Sequence, residues 1–360
     1  MAKTFLIACG GTGGHLSPGI AVAQELLDRG HRCILLVSQK AIDQTFCQAY
    51  PHLSTLVLPG IGFTRRVFTW PRCGWQALKN IFQSFRWMQT YSADAVIGFG
   101  GFTNVGVIVS AFLLRKPCFL HEANQVMGRT IRWLGRWATM VYVPPSFCQT
   151  SRLSTKPCPF PLRKDFKKID AVEAKKQLGC DPQKPLLVIV GGSQGSQVLS
   201  QWACEQVSRC AEKGIQMICV TGMRSSIKSP TGVSSIFCRF LPFSHSMSIL
   251  YSAADLVIGR AGAGTIAELA RCETPSILVP LSTAADHHQM ANARVWEQAG
   301  GCYVLEQSKL SELWGMVQKL LSQPSQLQEM ALHLYAVSSD DGAKMLADDL
   351  ERTVGCSIDS

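Results

Sequence analysis

Apolar positions along the chain fall into short runs that end in glycine-rich turns. Thr4–Cys9 is one such run, and it stops at Gly10-Gly-Thr-Gly-Gly14. Apolar residues then recur at helical spacing, Ile20, Ala23, Leu26 and Leu27, up to Gly30, and a second run covers Cys33–Val37. Strand, turn, helix and strand in that order predict a βαβ crossover, and so a parallel sheet. Leu56–Leu58, Ala95–Ile97 and Cys118–Leu120 predict further strands in this half.

The second half begins the same way. Pro185–Val190 ends in Gly191-Gly-Ser-Gln-Gly195, a helical stretch covers Val198–Cys210, and strands follow at Gln216–Val220, Leu256–Ile258 and Ile277–Val279. The halves echo each other in order. Gly10-Gly11 answers to Gly191-Gly192, Asp94-Ala-Val-Ile-Gly98 to Asp255-Leu-Val-Ile-Gly259, and Pro117-Cys-Phe-Leu120 to Pro275-Ser-Ile-Leu278. Two tandem doubly wound α/β domains of Rossmann type produce such an echo. Pro157-Cys-Pro-Phe-Pro161 reads as the linker, because closely spaced prolines exclude regular structure. The expected domains are 1–160 and 163–337. Beyond about residue 325 the pattern is helical, with acidic ends at Asp340-Asp341 and Asp348-Asp349.

Length and composition fit this picture. The 360 residues suit two domains, and 47% apolar with 17% charged residues excludes a disordered chain or a coiled coil. The longest apolar stretch, Val105–Leu114, stops at Arg115-Lys116, about half of a bilayer span. The first residues, one charge followed by an apolar run into a glycine turn, suit a strand better than a signal peptide. The 15 cysteines show no C-x-x-C spacing and mostly sit in apolar runs, as expected of buried free thiols in a reducing cytoplasm.

Charge placement adds more. The net charge is +10, yet residues 1–165 hold 18 Lys+Arg against 6 Asp+Glu, and the remainder 17 against 19. No acid lies between Asp43 and Asp94, where Arg65, Arg66, Arg72, Lys79 and Arg86 interleave with Phe63, Phe68, Trp70, Trp75, Phe82, Phe85 and Trp87. Glu122 to Asp165 is a second such gap. No groove-reading motif or stacking platform accompanies the basic residues, so nucleic acid is not expected. Residues 61–89 fit either an interfacial segment on anionic lipid or an amphipathic core helix with a solvated basic face.

Candidate chemistry gathers at the turns. A glycine turn between strand and helix leaves amides free at the positive helix end, which is an anion site. Gly10–Gly14, Gly98–Gly101, Gly191–Gly195 and Gly259–Gly264 are four candidates. A dinucleotide fingerprint fails at its third glycine and lacks the ribose acid, and no Gly-Lys-Ser/Thr or D-x-D occurs. Glu268, expected in the first turn of the following helix, suits a ribose diol or merely complements the dipole. His15, at a helix start, should be neutral near pH 7 and usable as a general base, or else satisfies a turn. His121-Glu122-Ala-Asn124 follows a strand end, where parallel sheets bind ligands. Asp286-His287-His288-Gln289 suits a structural or sugar-contacting role better than a metal site.

Taken together, Gly10-Gly-Thr-Gly-Gly-His15 with Pro18-Gly19, His121-Glu-x-Asn124, Gly191-Gly-Ser-Gln-Gly195, Gly262-Ala-x-Thr-x-x-Glu268 and Asp286-x-x-Gln289-x-x-Asn292 resemble the MurG family. These transferases add N-acetylglucosamine to lipid-linked muramyl-pentapeptide in peptidoglycan synthesis, and so serve cell-wall biogenesis and cell division. The resemblance spans roughly residues 4–300. It implies a GT-B fold, two Rossmann-like domains facing a cleft, with the last helix, about 338–360, packing back on the first. It implies a UDP-N-acetylglucosamine donor, inverting transfer, no cofactor and no metal. It also implies a peripheral location on the cytoplasmic face of the bacterial plasma membrane. Donor contacts implied by position are Thr12, Gly13, Gly14, Asn124, Arg163, Ser193, Leu241, Ala263, Gly264, Thr265, Ile266, Ala267, Glu268 and Gln289. His15 is the candidate base and Glu122 the alternative. Two segments depart from the family pattern, Phe102-Thr-Asn-Val-Gly106 and Phe160-Pro-Leu-Arg163. The competing functions are a GT-B enzyme with another lipid acceptor, a UDP-N-acetylglucosamine 2-epimerase, and a non-catalytic nucleotide-sugar binder.

Overall fold

The computed structural model describes residues 1–59, 70–148, 152–192, 195–223, 227, 237–283, 287–337 and 341–356. The chain forms two compact units, Met1–Lys164 with Asp341–Ser360, and Asp165–Asp340.

The first unit is built on seven parallel strands. They are β1 (Thr4–Ala8), β2 (Arg32–Ser38), β3 (Ser54–Leu58), β4 (Ala95–Gly98), β5 (Cys118–His121), β6 (Met140–Val143) and β7 (Thr155–Pro157). Their order is β3-β2-β1-β4-β5-β6-β7. Helices α1 (Gly13–Asp28), α2 (Ala41–Gln48), α3 (Trp70–Thr90), α4 (Thr103–Leu113) and α5 (Arg129–Leu134) connect them. Both sheet faces are covered, which is why β1 is apolar at every position from Phe5 to Ala8 rather than at alternate ones. Phe5 and Ile7 enter one core with α1, and Leu6 and Ala8 enter the other with α4. Gly19 lets α1 lie directly on β1, since a Cβ there would come within 2.4 Å of Cys9 Cβ.

The second unit repeats the design with β8 (Leu186–Val190), β9 (Gln216–Val220), β10 (Cys238–Leu241), β11 (Leu256–Gly259), β12 (Ser276–Leu278) and β13 (Cys302–Val304). The order is β10-β9-β8-β11-β12-β13, again all parallel. Its helices are α6 (Ala171–Gln177), α7 (Gln197–Glu212), α8 (Met247–Ala253), α9 (Ala263–Cys272), α10 (His288–Gln298), α11 (Leu313–Leu321) and α12 (Pro324–Val337). The echo between halves has a physical cause. Asp94 accepts from the Thr4 amide at 2.8 Å, and Asp255 accepts from the Leu186 amide at 2.6 Å. Each carboxylate satisfies the first donor of its unit's central strand, a group that would otherwise be buried without a partner.

The last helix, α13 (Gly342–Cys356), belongs to the first unit. Ala343, Leu346, Ala347, Leu350 and Val354 complete the core that holds Phe5 and Ile7. Its polar side is tied down as well. Asp349 accepts from the Tyr142 hydroxyl at 3.0 Å and from Lys156 Nζ at 2.6 Å, and Arg29 pairs with Asp348 and Glu351. Gly342 approaches the Pro159 carbonyl so closely that a Cβ would lie 2.0 Å from its oxygen.

Sequence pattern missed β6, β7, β10 and β13, all of them short outer strands. It also excluded regular structure from Pro157 onward, whereas Pro157 closes β7. That strand forms a sheet edge, where a missing N–H costs no ladder bond. The described cysteines form no disulfide, and most are buried. Among the described residues, no helix is long and apolar enough to cross a membrane.

Candidate active site

In the first unit the site is the turn from β1 into α1. Gly10 lies against the β2 backbone, where a Cβ would come within 2.4 Å of Ser38 N, and Gly11 has φ +122°. Both positions therefore demand glycine. Thr12 is the N-cap residue, and the His15 and Leu16 amides both donate to its carbonyl. The Gly13 and Gly14 amides come before the first helical acceptor, so α1 itself leaves them free to meet an anion.

His15 stands at the end of this turn. Its ring rests on Gly100 and Gly101, where a Cβ would come within 3.1 and 3.2 Å of ring nitrogens and φ is +99° and +78°. The Gly98–Gly101 loop, expected to hold an anion, is thus the seat of the His15 ring. The departure at 102–106 has a role here. Thr103 Oγ1 donates to the Gly10 carbonyl at 3.1 Å, and the Asn104 amide donates to the Gly100 carbonyl. Burial pushes the His15 imidazole down to about 4, against the pull of Asp43, and Lys40 lowers it further. His121, 1% exposed, is pushed down to about 3, first by burial and then by neighbouring His15. Both rings are therefore neutral at pH 7. His15 Nδ1 and His121 Nδ1 are buried without a hydrogen-bond partner among the described residues.

Glu122 and Asn124 form a unit. Glu122 Oε1 accepts from the Asn124 amide nitrogen of the backbone and from Asn124 Nδ2, both at 2.9 Å. Glu122 Oε2 accepts from the Gly128 amide, at the start of α5, at 2.7 Å. Both oxygens are thus committed to shaping the loop that carries Asn124. Glu122 therefore anchors the Asn124 loop. Arg163 is buried, donates to the Tyr50 hydroxyl at 2.9 Å, and lies over the Phe46 and Tyr50 rings.

The second unit offers two turns of the same kind. After β8, Gly191 and Gly195 are held against backbone, with a Cβ falling 2.1 Å from Ser196 N and 2.2 Å from the Thr221 carbonyl oxygen. Ser196 caps α7 by accepting from the Leu199 amide. After β11, α9 opens at Ala263 with Gly262 as N-cap and no side chain over its first amides. Ala263, Gly264 and Thr265 therefore present an open helix start to an anion. Buried Arg260 ties the two turns together. It donates to the Ser196 hydroxyl at 2.9 Å and to the Val279 and Pro280 carbonyls.

Glu268 is six residues into α9, one turn later than expected, because the helix starts at Ala263 rather than further along the loop. It is half-buried, as are Ala267 and Gln289, while Ile266 belongs to the core. Gln289 Oε1 accepts from the Leu281 amide at 2.8 Å, shaping the segment after β12. The Leu241 carbonyl is taken by the Thr221 amide and hydroxyl. Ser193 and Asp286 lie outside the described residues. Among the described residues no cluster of His, Cys, Asp or Glu could hold a metal ion.

The comparisons with known proteins agree with this architecture. Residues 5–143 match the glycosyltransferase family 28 N-terminal domain, and residues 186–346 match its C-terminal domain. The chain belongs to glycosyltransferase family 28. A relative from Opitutus terrae is 38% identical over 99% of this chain and 97% of its own. One from Synechocystis sp. is 33% identical over 95% of each. Both are named UDP-N-acetylglucosamine–N-acetylmuramyl-(pentapeptide) pyrophosphoryl-undecaprenol N-acetylglucosamine transferase. The crystal structure of Acinetobacter baumannii MurG superposes with a TM-score of 0.72 at 24% identity, over 98% of this chain and 100% of that one. At that identity the likeness speaks for the two-domain GT-B fold.

Asp43, which accepts from the Gly11 amide, and Arg260, which donates to Ser196, hold turns of this chain and were missed by sequence reasoning. Asp43 had one signal, an acid in the first turn of a short helix just after a strand. Arg260 stood inside a motif that was read for its glycines.

Proposed function

We propose that the chain transfers N-acetylglucosamine from UDP-N-acetylglucosamine to a lipid-diphosphate-linked muramyl-pentapeptide. The observation that carries this reading is identity of 38% and 33%, over nearly the whole chain, to relatives of one named activity. The other acceptors, the epimerase and the non-catalytic binder find no such support.

In this reading the acceptor hydroxyl gives its proton to neutral His15 as it attacks the anomeric carbon. UDP leaves from the opposite face, so the configuration inverts. The Ala263–Thr265 amides meet the charge growing on the diphosphate, where a fixed dipole needs no reorganisation. Glu268 accepts from the ribose diol, and Thr12, Gly13, Gly14, Asn124, Ile266, Ala267 and Gln289 shape the remaining donor contacts. Leu241, Arg163 and Ser193 enter the donor set through the resemblance alone.

The same reading places the first unit on an anionic membrane surface at the cytoplasmic face. Support comes from the way α3 packs. It buries Asn80 and Ser84, with Gly106 of α4 lying against Asn80 and the Ser110 hydroxyl of α4 donating to the Ile81 carbonyl at 2.8 Å, because small residues let the two helices come close. Its large apolar residues Trp75, Leu78 and Phe82 are left exposed. Phe112 and Leu113 of α4 and Trp133 of α5 are exposed too, with Phe112 and Trp133 both against the Trp137 ring. Exposed cations, Lys79, Arg86, Arg115, Lys116, Arg132 and Arg136, accompany them. Within 44–164 only Asp94 and Glu122 are acidic. Arg65 and Arg66 lie outside the described residues.

Release of UDP on adding the muramyl lipid acceptor tests the reading. Release that depends on acceptor is expected, and release without it contradicts transfer.

A further inference from the structure

One carboxylate oxygen closes the first strand–helix turn. Asp43, in the first turn of α2, is fully buried. Its Oδ2 accepts from the Gly11 amide at 2.8 Å, the Ser38 amide at 2.9 Å and the Ser38 hydroxyl at 2.6 Å. Ser38 ends β2, so a single oxygen clips the exits of β1 and β2 together. Lys40 Nζ donates to the Gly11 carbonyl at 2.6 Å, which fixes the peptide on the far side of Gly11. From the opposite side Thr103 holds the Gly10 carbonyl, and Gly101 supports the His15 ring. The turn therefore has no slack where it hands over to Thr12 and His15.

The clip carries a cost of its own. Asp43 Oδ1 is buried with no hydrogen-bond partner among the described residues. Burying a carboxylate with one oxygen left unpartnered costs free energy. The charge does act on the site, because Asp43 opposes the loss of basicity that burial imposes on His15.

We propose that Asp43 is a positioning residue for the transfer reaction, fixing the Gly10–Gly14 turn so that His15 and the Gly13 and Gly14 amides meet substrate in one geometry. The proposal rests on the reading of His15 as the base. Misplacing a reacting group by about 1 Å costs about a hundredfold in rate. Asp43→Asn keeps the shape and an acceptor but loses the charge, Asp43→Ala loses both, and Asp43→Glu keeps the charge.

The test is kcat from UDP release on a short-chain lipid-diphosphate muramyl-pentapeptide, alongside melting temperature. We expect kcat to fall about tenfold in D43N and about a hundredfold in D43A, and to stay within about threefold in D43E. Because residues acting as a unit are non-additive, D43N combined with H15A should lose clearly less than the product of the two single losses. Multiplicative losses in the double variant overturn the proposal. So does wild-type kcat in D43N, or equal losses in D43N and D43E that follow melting temperature alone. If H15A alone keeps wild-type turnover, the base assignment fails. The contrast between D43N and D43E then still decides whether the turn's position matters.

Discussion

Replacing Trp75, Leu78 and Phe82 together by Gln should detach the first unit from membranes while sparing its chemistry. These side chains are 62%, 60% and 65% exposed, and they share one side of α3 at spacings of three and four residues. Burying a large apolar side chain completely is worth about 1.5–3 kcal/mol. Roughly three-fifths of each is available to lipid, so full insertion of the three would contribute about 3–5 kcal/mol and partial insertion about 2. The triple variant should therefore bind vesicles about 30- to 4,000-fold more weakly. This loss should be the same at low and high salt, because it is apolar. Replacing Lys79, Arg86, Arg115 and Lys116 by Gln should instead remove about 1 kcal/mol per charge on anionic vesicles, and high salt should erase the difference. Vesicle sedimentation reads both effects, with activity on a soluble short-chain acceptor as the control. Wild-type sedimentation of the Trp75, Leu78 and Phe82 variant would refute the docking argument. Equal loss of activity on soluble and bilayer-embedded acceptors would refute it too, by pointing to a folding defect.

Other expectations are briefer. Glu268→Ala should weaken UDP binding by about 1–3 kcal/mol in calorimetry through a lost ribose partner, and unchanged affinity removes Glu268 from the site. His15→Ala should lower kcat by about 10²–10⁴-fold with donor affinity little altered; the reverse pattern makes it a donor contact. Stability should fall on acidification. His15 and His121 stay neutral when folded, so below about pH 6.5 the unfolded chain binds more protons, and the loss continues down to their folded values near 4 and 3. Urea midpoints should reveal up to about 1.4 kcal/mol per histidine per pH unit in that window, and His121→Asn should shallow the slope. Asp349→Ala leaves the buried Tyr142 hydroxyl unpaired, so it should cost about 1–3 kcal/mol and speed amide exchange across 342–356.

The architecture was legible wherever strands are central. β1, β8 and their neighbours are buried on both faces and read as continuous apolar runs bounded by glycine. β6, β7, β10 and β13 are short and lie toward the sheet edges, so they carry no such run. The turns were legible as glycine clusters, but their uses were not. Glycine at 100 and 101 serves a histidine ring, whereas glycine at 262 and 264 leaves a helix start open, and composition alone cannot separate these. Glu268 moved by one turn because a helix start depends on local backbone rather than on the motif's own spacing. Asp43 escaped notice because two of its three donors, the Gly11 and Ser38 amides, are backbone groups that any residue could supply. The apolar face of α3 was visible as a stripe. That it faces outward follows only from the burial of Asn80 and Ser84 on the other side, with Asn80 on Gly106.

The central claim is tested most directly by supplying UDP-N-acetylglucosamine and a short-chain lipid-diphosphate muramyl-pentapeptide, then analysing the product by mass spectrometry and proton NMR. The account predicts one N-acetylglucosamine added per UDP released, linked with inversion at the anomeric carbon, and lost in H15A. An unmodified acceptor alongside hydrolysed or 2-epimerised nucleotide sugar would contradict it.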